Sequence, residues 1–218
     1  TMSPKTVAAY TKFSHLMKLH ATPEIEQIIR NGFVAIIANA IDAAALNGSG
    51  SSNQPTGILN VSGIGSVAGG TNGAAADLDD FIDLKKEVSV DNADLSSCAY
   101  VTNAKVEAAI HKLKDSNGDY ILSPYGAEVG SQQILSRKME VTNNIPSNLS
   151  KGSGSNLSAI LYGNFSDLYI GLFSELEILV DPYTDFAKGT TGLRAIQSLD
   201  INVAHPQSFA AMKDAIAA

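Results

Sequence analysis

From Ile25 onward apolar residues recur every third or fourth position, and the run empties into a Gly/Ser loop, GSGSSNQPTGIL, that ends at Leu59. At 100° per residue Ile25, Ile29, Phe33, Ile36, Ile37, Ala40 and Ala44 gather on one side, with Glu24, Gln27, Asn31 and Asp42 on the other. This pattern predicts a helix over 23–46. Thr22 is placed to cap it, Pro23 suits the first helical position, and Glu24 and Glu26 oppose the positive end of the helix dipole. Asn47-Gly48 predicts its stop through a left-handed glycine turn. About 23 residues at ~1.5 Å each make a rod roughly 35 Å long, a spine for the rest of the chain. Asn39 and Asp42 break the apolar run below the ~20 residues that a bilayer requires, so a core helix is expected rather than a membrane span.

Around this spine the periodicity alternates between two and 3.6. Lys5 to Phe13 reads as a strand with Val7, Ala9, Thr11 and Phe13 on one face, and Ser14 can cap a short helical turn after it. The glycine-rich stretch after Val61, GIGSVAGGTNGAAA, reads as flexible and as the best candidate for a domain boundary. Asp77 to Val88 follows as an amphipathic helix with Leu78, Phe81, Ile82 and Leu84 turned mostly inward. Cys98 to Val101 reads as a buried strand, Asn103 as the cap of a helix with Val106, Ala109, Ile110 and Leu113 inward, and Asp115 to Asp119 as a turn. Strands are expected at 136–142, 159–162, 168–173, 176–180 and 193–203, with hairpin-like breaks among the later ones and an exposed, flexible link at 151–156. The fold class is α+β.

Composition narrows the function more by exclusion than by assignment. A net charge of −7 over 218 residues provides no basic stripe to neutralise phosphates, which argues against sequence-specific nucleic-acid binding. The single cysteine, Cys98, excludes an internal disulfide and fits a reducing compartment. Thr1 precedes Met2 in a segment that already looks structured, so a fragment or processed product lacking an upstream arm is expected.

Gly63, Gly65 and Ala68 formally fit the dinucleotide pattern G-x-G-x-x-G/A, with Asp83 about twenty residues on. That chemistry needs a helix to start inside the glycines, and the glycines at 69, 70 and 73 work against one. Asp115-Ser-Asn-Gly-Asp lacks the spacing and the closing glutamate of a calcium loop. His15, His20, His111 and His205 lack metal-ligand spacing, and His111 is expected on a helix surface. Asp77, Asp79, Asp80 and Asp83 read as a solvated helix face, and Cys98 has no evident base. No catalytic, cofactor-binding or metal-ligating set is assigned, and none of these motifs makes the chain an enzyme.

In order along the chain, several landmarks resemble the major capsid proteins of tailed bacteriophages, the Hong Kong 97 capsid fold. They are the spine ending in Asn47-Gly48 with its loop to Gly57-Ile-Leu, the segment His111-Lys-Leu-Lys-Asp-Ser-Asn-Gly-Asp-Tyr-Ile-Leu122, Asn143-Asn-Ile-Pro146, Gly163 to Gly171, Asp181-Pro-Tyr183, and Arg194 to Pro206. The resemblance covers the chain from about Lys5 to Phe209. It implies a peripheral domain over 1–62 and 164–204 carrying the spine, and an axial domain over 63–163 and 205–218.

It further implies a subunit of an icosahedral phage or prophage shell around packaged DNA. Its partners would be other copies of itself in pentamers and hexamers, with a scaffolding protein or protease and a portal during assembly. Its place would be the virion, built in the bacterial host cytoplasm. The family's N-terminal arm and extended two-stranded loop are represented by at most the strand from Lys5 to Phe13. The alternatives are an encapsulin-like nanocompartment shell and, in a different class, a nucleotide-binding enzyme using Gly63 to Ala68.

Overall fold

The structure, a computed structural model, describes residues 2–20, 25–121 and 133–217. In chain order its elements are β1 (Lys5–Ser14), α1 (His15–His20), α2 (Ile25–Asn47), β2 (Gly65–Val67), β3 (Ala74–Ala75), α3 (Leu78–Val90), β4 (Cys98–Thr102) and α4 (Ala104–His111). Eight strands follow: β5 (Gln133–Ile134), β6 (Arg137–Val141), β7 (Leu149–Lys151), β8 (Gly154–Asn164), β9 (Leu168–Leu172), β10 (Glu177–Asp181), β11 (Thr190–Val203) and β12 (Phe209–Ile216). They form two compact units. One takes the chain up to Gly57 with Ile170–Asn202, and the other takes Ile58–Tyr169 with the chain from Val203 onward.

In the first unit β11 lies between β1 and β10, antiparallel to both, and β9 also pairs with β11. Alternation along β1 sends Val7, Ala9 and Phe13 to one face, where they meet Leu193 and Ala195 of β11 and Ile178 of β10. Onto this face α2 lays Ile25, Ile29, Phe33, Ile37 and Ile41. The spine thus buries a stripe drifting along its i, i+4 row, because it crosses a twisted sheet. Ile36, expected on the inward side, is 60 % exposed, because it lies off the i, i+4 stripe that meets the sheet. Glu26 and Arg30, one turn apart, close an ion pair at 2.7 Å. The cap reading for Thr22, Pro23 and Glu24 lies outside the described residues. Ser14 caps α1 as expected, its hydroxyl accepting from the Met17 N–H at 3.2 Å.

Two further readings of the spine are corrected. The helix ends at Asn47, but Gly48 is not in the left-handed region; the positive φ values begin at Gly50, Ser52 and Asn53. Glycine is required by close approach instead. A Cβ on Gly48 would lie 2.2 Å from the Pro55 carbonyl oxygen, and one on Gly57 would lie 2.3 Å from the Gly48 nitrogen. The second correction concerns the apolar run and not the length: α2 has the 23 residues expected, and despite Asn39 and Asp42 it is long and apolar enough to cross a membrane by those two criteria alone.

The second unit is an eight-stranded mixed sheet in the order β2-β12-β8-β4-β6-β5, with β3 pairing with β12 and β7 with β8. Helix α3 starts in a capping box, Asp77 and Asp80 exchanging side-chain and backbone bonds. It buries Phe81, Leu84 and Val88, while Ile82, expected inward, is 48 % exposed on the far side of the helix. Asn103 caps α4 by accepting from the Val106 N–H at 3.0 Å, and Val106 and Ile110 face the core. The two helices share one apolar cluster with Tyr100 of β4, Ile160 and Tyr162 of β8 and Met212 of β12.

The stretch expected to be a flexible boundary, 63–76, instead contributes β2 and β3, which pair in parallel with β12. The expected link at 151–156 is the turn of the β7–β8 hairpin, with Gly152 at φ +58°. The breaks after β8 and β9 are not hairpins: β8 belongs to this sheet, whereas β9 and β10 both pair with β11.

Candidate functional surface

Each chemical motif of the sequence has a structural employment. Gly65 sits in β2 with its Cα against Ala210 and Glu87, so an added Cβ would lie 3.1 Å and 3.2 Å from theirs. No helix opens at the glycines, since α3 begins only at Leu78, and Asp83 pairs with Lys86 on its exposed side at 3.4 Å. The dinucleotide reading therefore fails on geometry: no helix N-terminus points at Gly63 to Ala68. The next glycine N–H, that of Gly69, donates to the buried Asp214 carboxylate, which also holds Lys151 at 2.5 Å.

Asp115 folds its own turn, accepting from the N–H groups of Asn117 and Asp119. His111, expected at the surface, is half-buried near the end of α4 and its Nδ1 is enclosed. Asp80, assigned to a solvated face, is partly buried beside its capping partner, and that burial pushes its carboxyl above the usual range. Among the described residues no cluster of three or more His, Cys, Asp or Glu is arranged to hold a metal.

Cys98 is 5 % exposed at the start of β4, its thiol donating to the Asp94 carbonyl at 3.4 Å. Burial pushes the thiol up, leaving little thiolate at neutral pH. An aromatic thiol-exchange reagent should label the native protein at least tenfold more slowly than the urea-unfolded protein. Equal rates in the two states would show that the strand does not cover the sulfur.

What the sequence did not single out is the quantity of apolar surface left in water. On the first unit α1 exposes Leu16, Met17 and Leu19, and α2 exposes Ile28, Val34 and Ile36. Of the 23 residues in α2 only Ile25, Phe33, Ile37, Ala45 and Leu46 are buried. The outward face of the sheet adds Tyr10 and Leu179, and the loop between β10 and β11 holds Tyr183 and Phe186 almost wholly in solvent. Scattered exposed leucines need no explanation, but aromatic side chains held out on an ordered loop mark surfaces that meet other proteins. The available signal was two aromatics inside a turn-forming sequence, Asp181-Pro-Tyr-Thr-Asp-Phe-Ala-Lys-Gly189.

The architecture has known counterparts. The major capsid protein of Halomonas phage phiHAP-1 is 23% identical over 216 residues, which is 99% of this chain and 33% of that protein. The chain thus spans about a third of the length of the curated relative it matches. The capsid of an empty GTA particle, computed with C5 symmetry, superposes with a TM-score of 0.79 at 22% identity, covering 99% of this chain and 74% of the other. The encapsulin of the holo-SrpI complex from Synechococcus elongatus PCC 7942 superposes at 0.67 and 14% identity, over 97% of this chain and 74% of that one. These superpositions identify the α+β fold as Hong Kong 97-like. The model of the phage capsid family matches residues 1–214, and by that match the chain belongs to the phage capsid family.

Proposed function

We propose that the chain is a structural subunit of an icosahedral phage or prophage shell that encloses DNA, and that it performs no catalysis. The observation that carries this reading is the open apolar surface of the first unit, where a 23-residue apolar helix buries only five side chains of its own. Such a surface is covered when copies tile side by side. A charge of −7 keeps the shell wall from adhering to the nucleic acid it surrounds.

In this reading residues 1–62 and 164–204 form the peripheral domain and 63–163 with 205–218 the axial domain. The partners are further copies in pentamers and hexamers, with a scaffolding protein or protease and a portal during assembly in the bacterial host cytoplasm. Electron microscopy of the full-length gene product expressed with its neighbouring genes should show closed shells. A persistently monomeric product would overturn the reading. Nuclease-protected DNA inside the shells supports the phage role, whereas shells holding a protein cargo and no DNA favour the encapsulin-like alternative.

A further inference from the structure

The outward face of the first unit carries an open hollow of about 360 Å³, lined by Tyr10, Leu179, Val180, Asp181, Gly192 and Arg194. Its walls follow from strand register. Tyr10, Arg194 and Leu179 stand side by side across β1, β11 and β10, and so point to the same face. Gly192, two pairs further along, makes room for the Tyr10 ring to lie across it, since a Cβ there would be 2.9 Å from the Tyr10 hydroxyl oxygen. Arg194 is exposed, and its guanidinium makes no hydrogen bond or ion pair with any described residue. Asp181 is close enough to feel its charge but is otherwise engaged. The hollow thus offers one aromatic wall, one aliphatic wall and an uncommitted planar cation.

Beside it stands a projection of matching chemistry. The Asp181 carboxylate accepts from the N–H groups of Tyr183 and Thr184 at 2.9 Å and 3.2 Å and from the Thr184 hydroxyl. Asp185 pairs with Lys12, the Gly189 N–H donates to the Phe186 carbonyl, and Gly189 turns left-handed at φ +59°. A loop tied at so many points does not leave its side chains outside by slackness, yet Phe186 is 82 % exposed. Tyr183 can hydrate its hydroxyl. Phe186 has no polar atom to hydrate, so its exposure is a cost that only a partner removes.

We propose that the hollow of one copy receives the Phe186 ring of a second copy of this chain; the inference rests on the shell-subunit reading. The volume is sufficient, since a cavity of about 150 Å³ already holds a benzene ring. Tyr10 supplies an aromatic neighbour, and Arg194 a cation to lie against the ring face. Because each copy presents both the projection and the hollow, the contact lets every subunit both give and receive.

The test uses full-length protein carrying Phe186→Cys in one preparation and Leu179→Cys in another, co-assembled and oxidised, with the wild type as control for the buried Cys98. Both positions are exposed, and matching thermal melts verify that the variants fold. A covalent heterodimer is expected from the mixture and from neither variant alone. In protein that keeps the Phe186 ring, Arg194→Ala alone should raise the concentration needed for shell assembly about two- to tenfold, the range for a partly exposed cation–π pair, and an unchanged concentration would remove Arg194 from the contact. Shells that form without the heterodimer, or a Phe186→Cys homodimer in its place, would overturn the contact and leave the shell reading standing. Failure of the wild type to form shells would instead remove the reading on which it rests.

Discussion

Replacing Phe33 by alanine is expected to lower the unfolding free energy by about 3–5 kcal/mol in urea melts, the range for emptying a buried aromatic site. Phe33 is 4 % exposed and is the largest side chain that α2 sets onto the sheet, among Phe13, Leu193 and Ala195. Those neighbours are anchored in two strands paired along ten residues, so the walls of the vacated site cannot follow the missing ring. Ile36 provides the contrast on the same helix. At 60 % exposure its truncation should stay within about 0.5 kcal/mol. A Phe33→Ala loss below about 1 kcal/mol, or an equal loss at both positions, would show that the helix does not rest on this face.

The second large effect belongs to Tyr100. Its ring is fully buried, 5.2 Å from Phe81 and 4.3 Å from Tyr162, and its hydroxyl donates to the Phe81 carbonyl at 2.8 Å. Burial pushes the Tyr100 phenol far up and the neighbouring Tyr162 phenol up to about 12, so both stay protonated across the range in which the protein is handled. Tyr100→Ala should cost about 3–5 kcal/mol. Tyr100→Phe removes only the hydrogen bond and should cost about 1 kcal/mol. The difference between the two variants measures packing. A phenylalanine variant as damaged as the alanine variant would mean that the bond to α3, rather than the ring stack, holds strand and helix together.

Elements with a strong local period were legible before folding. Strand β1, the caps at Ser14 and Asn103, helix α3 and the long strand β11 each carry their own alternation or capping residue, and each stands where that pattern puts it. The misreadings lie where distant partners decide. The glycines at 63–73 look like a linker, yet β2 and β3 are held straight by β12. Strand β12 itself, Phe-Ala-Ala-Met-Lys-Asp-Ala-Ile, has the alanines of a helix former and no alternation. It is a strand because it sits between β2 and β8 with Phe209 to Met212 buried, a position where small residues and a continuous apolar run both fit.

The candidate surface was hidden for a related reason. A periodic pattern names the side of a helix that is able to be buried. It does not say which row along that side meets the sheet, and so Ile36 read as core. Tyr10, Leu179 and Arg194 lie far apart along the chain, and only strand register brings them to one face.

That register also sets a clock. Ser3, just before β1, donates its N–H to Asp200 within β11 at 2.8 Å, and the two are 197 residues apart in sequence. At synthesis rates of about 5–20 residues per second, β1 leaves the ribosome roughly 10–40 s before β11 exists to receive it. During that interval its apolar residues have no sheet, and the three-stranded hollow has only one wall. The surface proposed to join one copy to the next is therefore absent from a half-made chain, which cannot use it to add itself to a growing assembly.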